Sequence, residues 1–72
     1  EGIVFANLTK DSSITVYTVS GKAVAHIKSN GSSGMLVWNM KTANGQDAAA
    51  GVYFCRIASN GKSKIIKVMV VW

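Results

Sequence analysis

Hydrophobic and polar residues alternate along this chain in short runs, and clusters of Gly, Ser, Asn and Asp separate the runs. A period of two is typical of β-strands, whereas no stretch repeats its apolar residues with the 3.6-residue period of a helix. Six segments fit the strand pattern: 3–6, 14–19, 22–28, 35–38, 52–58 and 64–72. The pattern therefore predicts an all-β protein.

The alternation also predicts which face of each strand packs into the core. Tyr17, Phe54 and Lys67 point to the opposite face, and Trp38 and Tyr53 are the large rings that fill the space between sheets. The residues predicted to face inward are Ile14, Val16, Leu36, Trp38, Tyr53, Cys55, Ile57, Ile66, Val68, Val70 and Trp72.

Turn-forming pairs mark where the strands reverse direction. Ser20-Gly21 predicts a tight turn, Asn44-Gly45 a turn with positive φ, and Asn60-Gly61 a type I′ hairpin. The spacing of Val24 and Ile27 breaks the alternation and indicates a β-bulge. Irregular connections are predicted for residues 30–34 and 39–50.

Six strands, with turns every eight to twelve residues and no proline, are typical of an immunoglobulin-like antiparallel β-sandwich of about six to seven short strands. A small barrel is the alternative architecture. A chain of 72 residues forms a single domain, 1–72, and buries only about 60% of its unfolded surface. Since it does not begin with methionine, we expect it to be a fragment of a longer protein.

The net charge of +5 is spread over nearly every segment, and only Lys62, Lys64 and Lys67 lie close together. Lys62 and Lys64 share one face of the last strand and Lys67 takes the other, which does not form a continuous stripe for phosphates. We therefore expect these lysines to protect a sheet edge, with no nucleic-acid partner. No apolar run approaches the ~20 residues of a membrane span.

Residues that could carry catalysis or bind metal are few and scattered. His26 and Cys55 are each the single residue of their type, and the acids are Glu1, Asp11 and Asp47. No nucleophile has a base at motif spacing, and no group of ligands has the spacing of a metal site. The sequence therefore predicts no catalytic, metal or cofactor site, and a protein that is not an enzyme.

The candidates for an interaction surface are the outward-facing aromatic residues Tyr17 and Phe54 together with Lys62, Lys64 and Lys67. The aromatic rings either cover the second face of the sheet or stack against a ligand such as a polysaccharide.

Five motifs together carry a resemblance to a known group of domains. The motifs are Ile14-x-Val16-Tyr17-x-x-Ser20-Gly21-Lys22-x-Val24, Trp38-Asn39, Asn44-Gly45, Ala50-Gly51-Val52-Tyr53-Phe54 and Lys67-Val68-Met69-Val70. Their order resembles the C-terminal immunoglobulin-like domains of bacterial exported proteins, which include the sorting domains of the type IX secretion system and the immunoglobulin-like domain of flagellar hook-capping proteins. One departure is Trp38-Asn39-Met40, where these domains usually have Trp-Asp-Gly.

The resemblance implies a non-catalytic accessory domain from the C-terminal end of a secreted or cell-surface bacterial protein, with a role in secretion sorting, anchoring or domain spacing. The alternatives are a carbohydrate- or protein-binding module and a self-associating assembly domain. The expected partners are the rest of the parent chain, the secretion machinery, or a second copy. A second copy is included because the first strand typical of these domains is absent, which leaves a sheet edge open.

Overall fold

The described part of the chain folds into two antiparallel sheets. The computed structural model describes residues 2–5, 12–28, 35–59 and 61–71. Within these ranges the strands are β1 (Ile3–Phe5), β2 (Ser13–Thr18), β3 (Ala23–Lys28), β4 (Leu36–Trp38), β5 (Gly51–Ser59) and β6 (Lys62–Val70). One sheet has the order β3-β2-β5-β6 and the other consists of β1 and β4. The prediction of an all-β sandwich is confirmed.

The predicted strand limits lie within two residues of the observed ones, and the largest difference is in β6. This strand begins at Lys62 rather than Lys64, because its pairing with β5 continues up to the Ser59–Lys62 pair beside the hairpin turn. Trp72, which was predicted to face inward from this strand, lies outside the described residues.

The core lies between the inner face of the four-stranded sheet and the smaller sheet. Ile14, Val16 and Cys55 from the larger sheet are completely buried, and Trp38 from the smaller sheet is almost completely so. The Trp38 and Tyr53 rings meet edge to face with their centroids 5.5 Å apart, a favourable arrangement for two aromatic quadrupoles. The predicted inward positions that the structure describes are thus confirmed as buried or partly buried.

The turns follow the predicted chemistry. The Gly21 N–H donates to the Thr18 carbonyl at 2.9 Å, and Gly45, with φ of 81°, donates to the Thr42 carbonyl at 2.9 Å. The bulge lies at Val24, since Val16 pairs with Ala25 and Tyr17 pairs with Ala23. Asn60 and residues 30–34 lie outside the described residues, so the type of the β5–β6 turn and the character of that loop stay predictions.

The connection after Trp38 is held by hydrogen bonds to buried groups. The indole Nε1–H of Trp38 donates to the Lys41 carbonyl at 3.0 Å, and the Tyr53 hydroxyl donates to the Ala49 carbonyl at 2.7 Å. Met40 lies in the same connection, and its side chain is buried and its φ is 61°. It occupies the position where the domains that this chain resembles usually have glycine, and its backbone adopts the left-handed conformation that glycine favours.

Candidate interaction surface

The two faces of the four-stranded sheet have different surroundings. The inner face packs against β1 and β4, whereas no strand among the described residues lies over the opposite face. We call this opposite side the outer face. Strand alternation and register place on it Thr15, Tyr17, His26, Val52, Phe54, Arg56, Ile65, Lys67 and Met69.

Three of the five predicted surface residues form one row across the outer face. Tyr17 of β2 pairs with Phe54 of β5, and Phe54 pairs with Lys67 of β6. Side chains directly opposite one another on neighbouring strands have Cβ atoms about 4.5–5.5 Å apart. Both aromatic side chains are half-buried and Lys67 is exposed. The row therefore presents two aromatic residues on neighbouring strands with a cation at one end.

A second row runs beside the first and adds further polar groups. Thr15 pairs with His26 on one side and with Arg56 on the other, and Arg56 pairs with Ile65. The Thr15 hydroxyl and Nδ1 of His26 are 2.8 Å apart. Alternation already placed Arg56 on the same face as Phe54, and the register adds Thr15 and Ile65 as its cross-strand neighbours.

Apolar side chains on β6 extend the surface to the edge of the sheet. Ile65 and Met69 are each 64% exposed, and Met69 pairs with the half-buried Val52. The sequence pattern does not single out these residues as a surface, because β6 is apolar at both odd and even positions. The single indication in the sequence is that Ile65 and Met69 are each two residues from Lys67 and so share its face of the strand.

Lys62 and Lys64 do not join this surface. They pair with Ser59 and Ile57, on the side of the sheet that carries the core. Both remain exposed because they lie near the hairpin end of β6. The structure thus separates them from Tyr17 and Phe54, while Lys67 lies beside Phe54.

Among the described residues, the charged side chains on the outer face are cationic. Arg56 and Lys67 lie on it, and Asp47, the one acid within the described ranges, does not. Asp47 lies in the connection before β5, where its Oδ1 is 2.6 Å from Nζ of Lys41. Cations beside exposed apolar groups favour a partner that presents carboxylates together with apolar side chains.

The single thiol of the chain lies in the core. Cys55 is completely buried, and this burial raises the pKa of its thiol, which opposes formation of the nucleophilic thiolate. In the ranges that the structure describes, no cluster of three or more His, Cys, Asp or Glu residues could hold a metal ion. The same ranges contain no helix with the length and hydropathy needed to cross a membrane.

Comparison with known proteins places these features in a family. A family model described as a secretion system C-terminal sorting domain matches residues 1–71. The solved structure of PorZ, an essential bacterial surface component of the type-IX secretion system of Porphyromonas gingivalis, is similar with a TM-score of 0.78 and 26% identity. That similarity covers 99% of this chain and 10% of the PorZ chain. Curated protein sequences give no match.

The family match extends over almost the whole chain, and the matching part of the PorZ chain has a similar fold. Domains of this family mark bacterial proteins for secretion or for attachment at the cell surface, and they act as sorting signals rather than as catalysts. The predicted resemblance to type IX sorting domains is therefore confirmed: this chain belongs to the family of secretion-system C-terminal sorting domains.

Proposed function

We propose that this domain is the C-terminal sorting signal of a longer exported protein and that the secretion machinery recognises it through the outer face. The observation that carries the proposal is the row of Tyr17, Phe54 and Lys67 with Arg56 beside it. A folded domain is recognised through its surface, and this is the broad face that the smaller sheet leaves uncovered among the described residues.

The composition of the outer face defines the partner that fits it. Exposed Ile65 and Met69 supply apolar area, and the half-buried rings supply rigid contact surface. Aromatic residues and arginine are enriched where interfaces gain most of their binding free energy. The matching component therefore presents apolar side chains with carboxylates placed to meet Arg56 and Lys67. Sorting is favoured over anchoring or spacing because the family is defined by it.

The experiment is a secretion assay in a bacterium that has a type IX system. The chain is fused to the C-terminus of a reporter protein, and the reporter is measured in the cells, on the surface and in the medium. We expect Arg56→Glu combined with Lys67→Glu to lower export at least about tenfold, a loss that corresponds to about 1.4 kcal/mol of recognition.

The matched control is Lys22→Glu combined with Lys41→Glu. It changes the net charge equally, but Lys22 lies beside the β2–β3 turn and Lys41 in the connection between β4 and β5. Circular dichroism of each variant checks the fold. Equal export of the Arg56 and Lys67 variant and the wild type would refute the outer face as the recognition surface. A wild-type fusion that stays in the cell would refute the sorting role itself.

A further inference from the structure

The last strand, β6, forms one edge of the four-stranded sheet. It pairs with β5 through nine residues, and no other described strand pairs with it. Nine extended residues span about 30 Å. An exposed edge of this length presents a row of backbone donors and acceptors that a further strand can use.

The hairpin determines which backbone groups of β6 point outward. Ser59 and Lys62 pair across a two-residue loop, so they exchange hydrogen bonds with each other, and every second pair along the ladder does the same. The even-numbered residues of β6 therefore bond to β5. The N–H and C=O groups of the odd-numbered residues Ser63, Ile65, Lys67 and Met69 point away from the sheet.

The opposite edge of the same sheet is protected in two ways. The Val24 carbonyl of β3 accepts a hydrogen bond from the Ala43 N–H at 2.8 Å, and the bulge at Val24 interrupts the ladder. Bulges and covering loops are common means of preventing strand addition. The register of β6 is unbroken, so this edge is the one that is ready to receive another strand.

The side chains of β6 define the chemistry of the incoming strand. Ile65 and Met69 expose 64% of their surface, and Lys64 and Lys67 are exposed with no acid on the strand. Pairing β6 with β6 of a second copy would bring six lysines, three from each strand, into one interface between two chains that each carry +5. Like charges at such spacing oppose association. The charge favours an acidic strand instead.

We propose that β6 receives an extended, acidic segment of the recognising component by antiparallel β-strand addition. The inference rests on the proposed function for the identity of that component. The segment carries one carboxylate opposite Lys67 on the outer face and another, three positions along, opposite Lys64 on the inner side. Its apolar side chains lie opposite Ile65, Ile66, Val68 and Met69. Main-chain bonds supply affinity and the two carboxylates fix the register.

The test measures binding of a labelled synthetic peptide to the chain by fluorescence anisotropy. The peptide, Thr-Val-Val-Glu-Val-Val-Glu-Thr, places Glu opposite Lys67 and Lys64 in the antiparallel register. We expect it to bind, and we expect the same peptide with Lys at both Glu positions not to bind. A chain with Lys64→Glu and Lys67→Glu should reverse this preference.

A backbone variant separates strand pairing from attraction by charge. Ile65→Pro removes an N–H that points outward and leaves the hydrogen bonds to β5 in place, whereas Ile65→Thr keeps the N–H and removes the apolar side chain. We expect Ile65→Pro to weaken peptide binding at least about fivefold relative to Ile65→Thr, the loss of one hydrogen bond. Circular dichroism checks that both variants keep the fold.

Three results would overturn the inference. They are equal binding by the Ile65→Pro and Ile65→Thr chains, no binding of the Glu peptide, and light scattering that shows a dimer which the peptide dissociates. Failure of the proposed function is distinguished by the secretion assay. If the wild-type fusion is exported but the peptide does not bind, strand addition alone is wrong. If the peptide binds but the fusion is not exported, the sorting role is wrong.

Discussion

The buried side chain of Met40 stabilises the fold, whereas its left-handed backbone conformation destabilises it. Replacement by glycine and by alanine therefore separates the two effects. Its side chain is buried in the core, and its φ of 61° lies in the left-handed region. Both substitutions remove the buried side chain. Only glycine also relieves the backbone.

The two effects can be weighed against each other. Truncation of a buried Met to Ala costs about 2–5 kcal/mol. The left-handed conformation costs an L-residue about 1–2 kcal/mol, and glycine avoids this cost. At an ordinary backbone position glycine is about 0.5–1 kcal/mol less stable than alanine. We therefore expect both variants to be less stable than the wild type, with Met40→Gly more stable than Met40→Ala by about 1 kcal/mol.

Urea unfolding followed by circular dichroism measures this difference, and thermal melts should separate the two variants by about 4–8 °C. Ala43→Gly is the matched control, because Ala43 lies exposed in the same connection without positive φ. It should show the usual glycine penalty. If Met40→Ala were as stable as Met40→Gly, the left-handed conformation of residue 40 would be wrong. If Met40→Gly were more stable than the wild type, the buried Met40 side chain would not stabilise the fold.

Two further predictions concern the core. Trp38→Ala should cost about 3–5 kcal/mol, a large part of the roughly 4–11 kcal/mol expected for a domain of this size, and an unchanged melting temperature would contradict the burial of Trp38. Burial raises the pKa of the Cys55 thiol in the folded chain, so the thiol of the unfolded chain ionises first as pH rises. The free energy of unfolding therefore falls as pH rises above about 8.5 and through the folded pKa. The urea midpoint of the wild type should therefore fall more between neutral and alkaline pH than that of Cys55→Ala, and identical pH dependences would exclude the effect.

Alternation predicted the core well wherever only one face of a strand is apolar. In β2, Ile14 and Val16 alternate with Thr15 and Tyr17, so a slip of one residue would bury polar groups and expose the apolar ones. The burial of Ile14 and Val16 was therefore determined locally. The same reasoning placed Tyr17 and Phe54 on a common face before their register was known.

The features that alternation could not predict depend on contacts between distant segments. β6 is apolar on both faces, so the position of Lys67 was the single indication that Ile65 and Met69 are exposed while Val70 is buried. The cross-strand row of Tyr17, Phe54 and Lys67 depends on the registers of two separate strand pairs. The backbone of Met40 was equally hidden, because methionine gives no signal for positive φ.

The pairing of β1 with β4 has a consequence for the order of folding. β2–β3 and β5–β6 are local hairpins, whereas β1 and β4 join Ile3 to Trp38 through only three residues each. Closing the long loop between Phe5 and Leu36 costs entropy before the three-residue pairing of β1 with β4 can offset it. Contacts between residues so far apart in sequence form slowly. With no proline in the chain, prolyl isomerisation adds no slow phase. We therefore expect amide protection in pulsed hydrogen exchange to appear in β5 before β1, so that Trp38 is covered in the last step of folding.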